Sequence, residues 1–283
     1  MTRHADITGR YLYLTAGGRD HRVYYEEAGS GIPLLCQHTA GTDGRQWRHL
    51  LEDPEVTSRF RVIAHDLPYH GKSLPPDGVA WWRETYRLDT ASFVDFVVGL
   101  ADALELEDPV YLGCSMGGHL AGDLALRVPG RFRAVIGVEA SMATHGPEET
   151  LLHNFHPRVT SEFKAAMMYT LTSPTSPEAG RREATWYYLQ GAPGAHRGDL
   201  YYYIDDHDLT DTARLIDTSQ VRVYFMSGEY DWSATPAETR ALAEQVAGAR
   251  LIEMAGVGHF PMTENYPVFR KHLMPVLDEI AAE

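Results

Sequence analysis

The chain has 283 residues, room for one large α/β domain or two small ones, and 44% of them are hydrophobic, enough for a core on both faces of a sheet. Its net charge of −14 argues against nucleic acid and anionic membranes as partners. No apolar run approaches the roughly 18 residues of a membrane span, and residues 1–6 hold no apolar signal region, so a cytoplasmic protein is expected.

Taken in chain order, residues 10–15 and 21–28 read as an antiparallel pair joined by a turn at Gly17, Gly18, Arg19 and Asp20. Residues 33–38, 60–66, 109–114 and 132–139 are continuous apolar runs of the kind buried on both faces. Amphipathic stretches near 45–52, 89–104 and 116–127 separate them. That alternation predicts a parallel sheet with right-handed crossovers. From 141 to about 213 it stops, in a stretch rich in His, Tyr, Met and Trp and broken by Pro174 and Pro177. Strands resume at 221–226 and 250–254, and a helix begins near Glu264. Cys36 and Cys114 are the two cysteines, with no Cys-x-x-Cys or Cys/His ligand spacing. Neither a zinc site nor any other cofactor is expected, and the two thiols read as buried, reduced, apolar fillers on neighbouring strands.

Chemistry concentrates at Gly113-Cys114-Ser115-Met116-Gly117, followed by Gly118. This G-x-S-x-G run lies between a strand at 109–112 and a helix at 119–126, the context of a nucleophile elbow. A serine on so sharp a turn takes strained backbone angles, and side-chain-free neighbours let the chain pass beneath it. The helix N-terminus behind it favours negative charge. On such an elbow the partners follow in the order serine, acid, histidine. His259 sits in Gly258-His259-Phe260-Pro261, just past the strand at 250–254; Asp231 ends the segment after the strand at 221–226. Asp231 is therefore the acid that orients the His259 imidazole. Two carboxylates compete with it: Glu229, which should point away, and Glu139, after the strand at 132–139.

On these residues the chain resembles the α/β-hydrolase superfamily, in the branch of carboxylesterases, lactonases, thioesterases and carbon–carbon bond hydrolases. Residues 34–41 and 62–73 add to the likeness, which covers nearly the whole chain. Residues 66–73 are similar to that family's D-x-P-G-x-G-x-S loop, with Tyr69 and His70 in place of the usual glycine and its neighbour; the loop reads as structural. The resemblance implies a mostly parallel eight-stranded sheet flanked by helices, with a core of residues 1–140 and 214–283. Residues 141–213 would be a helical cap inserted after the sixth strand. It also implies an oxyanion hole built from the N–H of Met116 and a second N–H in His38-Thr39-Ala40, where the family has His-Gly. Alignment points to Ala40, with Thr39 as the alternative.

In the cap, Phe155, Phe163, Met167, Met168, Tyr169, Trp186, Tyr187, Tyr188 and Tyr201 to Tyr203 are candidate pocket-lining residues, and Trp81 and Trp82 are alternative wall residues. Equally, an aromatic stripe at helical spacing serves to dock a helix. The favoured reaction is acyl transfer on a small ester, lactone or thioester, with His259 as base. A serine at the elbow argues against dehalogenase and epoxide hydrolase chemistry, which use a carboxylate there. The rival is a carbon–carbon hydrolase acting on a ring-cleavage diketone, which needs a carboxylate-binding cation such as Arg45, Arg158, Arg181 or Arg182. A hydrolase-fold ligand receptor is the remaining alternative. The partner is a small molecule, and the oligomeric state stays open.

Overall fold

The structure, a computed structural model, describes residues 4–144 and 161–282. Eight strands form one sheet in the order β1-β2-β4-β3-β5-β6-β7-β8. They are β1 (Thr8–Ala16), β2 (Arg19–Ala28), β3 (Ile32–Gln37), β4 (Phe60–His65), β5 (Val110–Cys114), β6 (Ala134–Val138), β7 (Arg222–Gly228) and β8 (Arg250–Met254). β1–β2 and β2–β4 pair antiparallel, and every other pair is parallel. All the parallel strands therefore end at one edge, and the loops carrying Thr39, Ser115, Glu139, Asp231 and His259 leave from it.

The burial pattern explains the order. β5 and β6 are buried at every residue, as continuous apolar runs require, and lie in the middle. β1 is exposed over most of its length and takes one outer position. The turn between β1 and β2 is shorter than its sequence suggests. Gly17 and Gly18 alone make it, at φ 56° and 71°, leaving Arg19 and Asp20 in the strand ladder. Two successive residues at positive φ define the hairpin turn whose twist matches the strands.

Helices α1 (Thr90–Ala103) and α2 (Met116–Arg127) cover one face, with Phe93, Val97, Leu100, Leu120 and Leu124 in the same core as Leu35 and Tyr111. Alternate residues of β5 point the other way: Val110, Leu112 and Cys114 share a second core with Phe269, Leu273, Val276, Leu277 and Ile280 of a C-terminal helix. Those last five recur at helical spacing on one face, and burying each stabilises the fold by about 1.5–3 kcal/mol. Cys36 pairs with Leu112 across β3 and β5, and both cysteines are buried free thiols whose pKa burial pushes up.

Between β6 and β7 the described residues are mostly helical: α3 (Ser161–Thr170), α4 (Glu178–Gln190), α5 (Pro193–Leu200) and a π-helical turn over Tyr201–Asp206. α6 (Pro236–Gln245) follows β7, and α7 (Tyr266–Ala281) is the C-terminal helix. Pro177 precedes α4, so the proline that breaks the sequence pattern marks a helix start. The amphipathic stretch at 45–52 is no single helix. A 3₁₀ turn over Gly44–Trp47 gives way to one α-turn over Arg48–Leu51, and Asp53 then caps a fresh turn opened by Pro54.

Candidate active site

The elbow forms as its glycines demand. Ser115 stands between β5 and α2 at φ 57° and ψ −118°, a strained conformation for a residue with a side chain, costing about 1–3 kcal/mol. Close packing holds it there. A Cβ on Gly118 would lie 2.1 Å from the Val138 carbonyl, and one on Gly113 2.2 Å from that of Gly117. The Ser115 N–H donates to the Val138 carbonyl at 2.9 Å. Ser115 itself is buried near Tyr203, whose hydroxyl lies 3.1 Å from that of Ser233.

Asp231 and His259 meet directly: Asp231 Oδ2 lies 2.7 Å from His259 Nδ1. Asp231 Oδ1 accepts the Ser233 N–H at 2.7 Å, which fixes the carboxylate. The His259 N–H donates to the Leu171 carbonyl at 3.0 Å, and Cys114 Sγ lies 3.3 Å from the His259 carbonyl, so the histidine loop rests against the elbow strand. Glu264 buttresses that loop, its buried carboxylate accepting N–H groups from Gly258 and Ser173. The sequence shows Glu264 only as the start of a helix.

The competing carboxylates separate. Glu229 is exposed and accepts the Gly256 N–H at 2.9 Å. Glu139 is fully buried at φ 54° and accepts the Gly228 N–H at 2.8 Å. Burial and then the neighbouring Asp231 charge raise its pKa well above the usual carboxylate range, with the Gly228 bond opposing. Both causes favour the neutral form of Glu139.

The 38–41 loop is held from two sides. Thr39 donates its N–H to Gln46 Oε1 at 2.9 Å, and its hydroxyl lies 2.7 Å from the Tyr188 hydroxyl of α4. Gly41 takes φ +70°, so the glycine this loop needs comes after Ala40 rather than before it. Its N–H donates to Asp199 Oδ2 of α5 at 2.7 Å. Leu67 N–H donates to His38 Nε2 at 3.1 Å, so His38 carries its proton on Nδ1 and gives it to the Thr39 carbonyl at 2.8 Å. Burial, then the charge on His70, lower the His38 pKa to about 3.

His70 differs. Its Nδ1 lies 2.8 Å from the Pro68 carbonyl and its Nε2 2.8 Å from Asp199 Oδ2, so both ring nitrogens face acceptors and the ring is an imidazolium. Burial pulls its pKa down, but Asp199 and the Pro68 carbonyl outweigh that and the net shift is upward. A raised pKa makes the pair's stabilisation complete below about pH 6.5 and lost as pH rises through the folded value. Asp199→Ala is expected to cost about 3–5 kcal/mol at pH 6, with a smaller loss at pH 9; urea unfolding at both pH values checks this.

The aromatic candidates divide. Phe163, Trp186, Trp81 and Trp82 are solvent-exposed and do not line an interior. Met168, Tyr187, Tyr188, Tyr202 and Tyr203 are buried, whereas Tyr169 bonds Glu178 and Tyr201 faces the Arg87 guanidinium. Phe155 and Arg158 lie outside the described residues. Arg45 pairs with Asp43 and Gln190, Arg181 with Thr172 and Glu178, and Arg182 with Glu178. A buried network that no sequence pattern marks lies below the elbow: His119 Nδ1 meets the Ser115 carbonyl at 3.0 Å, and Asp123 holds both His207 and Tyr202 at 2.7 Å.

A mostly parallel eight-stranded sheet with a serine elbow after β5 and an acid and a histidine after β7 and β8 defines a hydrolase-type α/β fold. Residues 34–270 match the model of the Alpha/beta hydrolase family, and the chain belongs to that family. It is similar to 2-hydroxymuconate semialdehyde hydrolase of Pseudomonas sp. (strain CF600), 35% identical over 118 residues. That match takes in 41% of this chain and only 38% of the relative's length. Among solved structures, the thermophilic esterase of Thermogutta terrifontis (malate bound) gives a TM-score of 0.80 at 20% identity, covering 97% of this chain and 99% of the other. The enol-lactonase of Burkholderia xenovorans LB400 gives 0.79 at 22% identity, covering 94% and 99%. At these identities the structural likeness establishes the fold. No helix among the described residues is long and apolar enough to cross a membrane.

Proposed function

We propose that the chain is a serine hydrolase that cleaves a small, hydrophobic or aromatic carboxylic ester, or a lactone or thioester, through an acyl-enzyme on Ser115. The observation that carries this reading is the strained Ser115 at the end of β5 together with the 2.7 Å contact of Asp231 and His259 beyond β7 and β8. Asp231 accepts Nδ1–H of His259, which leaves Nε2 as the base that takes the Ser115 proton. Ser115 attacks the carbonyl carbon, and the oxyanion rests on the N–H groups of Met116 and Ala40, each worth about 2.7–4 kcal/mol. Ala40 is favoured over Thr39 because the Thr39 N–H already serves Gln46. His259 then protonates the leaving group and activates the water that releases the acid. Residues 141–213 act as a cap on a core of 1–140 and 214–283, and no cofactor takes part.

A second reading is favoured by the 118-residue match to a semialdehyde hydrolase: carbon–carbon cleavage of a ring-cleavage diketone by the same three residues. Of the arginines that could hold the diketone's carboxylate, Arg45, Arg181 and Arg182 are engaged in ion pairs. The test is a panel of p-nitrophenyl esters, lactones and a vinylogous diketone. Turnover of esters or lactones with an initial burst is expected. Turnover of the diketone alone moves the assignment to carbon–carbon cleavage, and labelling of Ser115 followed by a stall marks a ligand receptor.

A further inference from the structure

Lys164, on α3, is a buried cation that the chemistry above does not use. It is only 3% exposed, and its Nζ has no hydrogen-bond partner among the described residues. A buried ammonium without a partner is costly, and a site that tolerates one calls for an explanation. Burial lowers its pKa to about 8, opposed by the charge of Asp199, so it stays largely cationic at neutral pH. Asp199 is engaged by other groups. Tyr86 occupies Oδ1 at 3.0 Å, and Gly41 N–H and His70 occupy Oδ2 at 2.7 and 2.8 Å.

The neighbours of Lys164 suit a single anionic group. His196 on α5 is buried, and its Nδ1 also lacks a partner among the described residues. Burial, then the Lys164 charge, lower its pKa to about 3, so the ring is neutral and offers one N–H without a second charge. Tyr188 stands against both, its ring centroid 5.9 Å from Lys164 Nζ and 5.9 Å from the His196 ring, while its hydroxyl serves Thr39. A Cβ on Gly191 would lie 3.4 Å from Lys164 Nζ and 2.1 Å from the Gly41 carbonyl oxygen. The tip of Lys164 therefore lies where the insertion touches the 39–41 loop, next to the proposed oxyanion donor Ala40.

We propose that Lys164 and His196 form an anion subsite that takes a carboxylate carried by the substrate, beside the Thr39–Gly41 loop. This rests on the hydrolase reading and narrows its substrate class to half-esters of dicarboxylic acids and related acyl compounds with a second, ionised carboxyl group. One ammonium and one neutral imidazole donor match one negative charge.

Two measurements test the subsite, one of them independent of turnover. In the Ser115→Ala protein, calorimetry with the monomethyl esters of the four- to eight-carbon dicarboxylic acids should detect binding, and adding Lys164→Met should weaken it at least about 10-fold. In the active protein, Lys164→Met should lower kcat/KM for p-nitrophenyl half-esters at least about 10-fold more than for p-nitrophenyl alkanoates of equal length, chiefly through KM. It should also raise Tm, because an unpartnered buried charge is gone. His196→Phe carries the same binding expectation and decides the matter if Lys164→Met does not fold. Equal losses on both ester series, or no carboxylate binding to Ser115→Ala, overturn the subsite. If the wild type turns over no ester, the ester reading fails while calorimetry still decides the subsite.

Discussion

Ser115→Ala is expected to lower kcat on the best substrate at least about 10³-fold, and by as much as roughly 10⁶-fold where the three residues act as one unit. The loss should fall on chemistry and leave the fold intact. The elbow backbone keeps its partners, since Ser115 N–H bonds the Val138 carbonyl at 2.9 Å and the Ser115 carbonyl accepts His119 N–H at 2.8 Å, neither through the hydroxyl. Alanine inherits the same positive φ, so the strain is unchanged. Substrate binding by the variant with no burst and no covalent adduct in mass spectrometry is the expected pattern. Retention of activity within about 10-fold would place the nucleophile elsewhere, and Cys114 is a poor candidate because it is fully buried with a raised pKa.

Much of this arrangement is legible in the sequence because it depends on local pattern. β5 and β6 read as strands since both faces are apolar, and the elbow reads from glycines that packing makes necessary. What escapes the sequence is contact between distant segments. Asp199 reaches His70 across 129 positions and Tyr188 reaches Thr39 across 149, and no periodicity marks either pair. Helix limits fail for local reasons: near Glu264 a turn opens at Pro261 and is broken by Asn265, at φ −155°, before α7 begins. The aromatic-rich insertion shows composition without orientation, so the exposed Phe163 and Trp186 cannot be told from the buried Tyr188 until the helices are packed. Lys164 is equally opaque, since only folding shows that its ammonium is enclosed.

Asp231→Asn is the second large effect, expected at about 10⁴-fold in kcat near neutral pH. An asparagine there can still accept the Ser233 N–H through its carbonyl oxygen, as Asp231 Oδ1 does at 2.7 Å. Its NH₂ then faces His259 Nδ1, which the carboxylate meets at 2.7 Å, and forces the imidazole proton onto Nε2. That nitrogen can no longer take a proton from Ser115. Glu139→Gln should behave differently. Burial and the Asp231 charge raise the Glu139 pKa and so favour its neutral form, and glutamine keeps an acceptor for the Gly228 N–H and a donor toward Asp231. A loss of no more than about 10-fold is expected there, measured beside Asp231→Asn on one substrate over pH 6–9. The opposite ranking would move the acid to the end of β6, and a near-equal collapse of both would mean that Asp231 and Glu139 act as one proton-sharing unit.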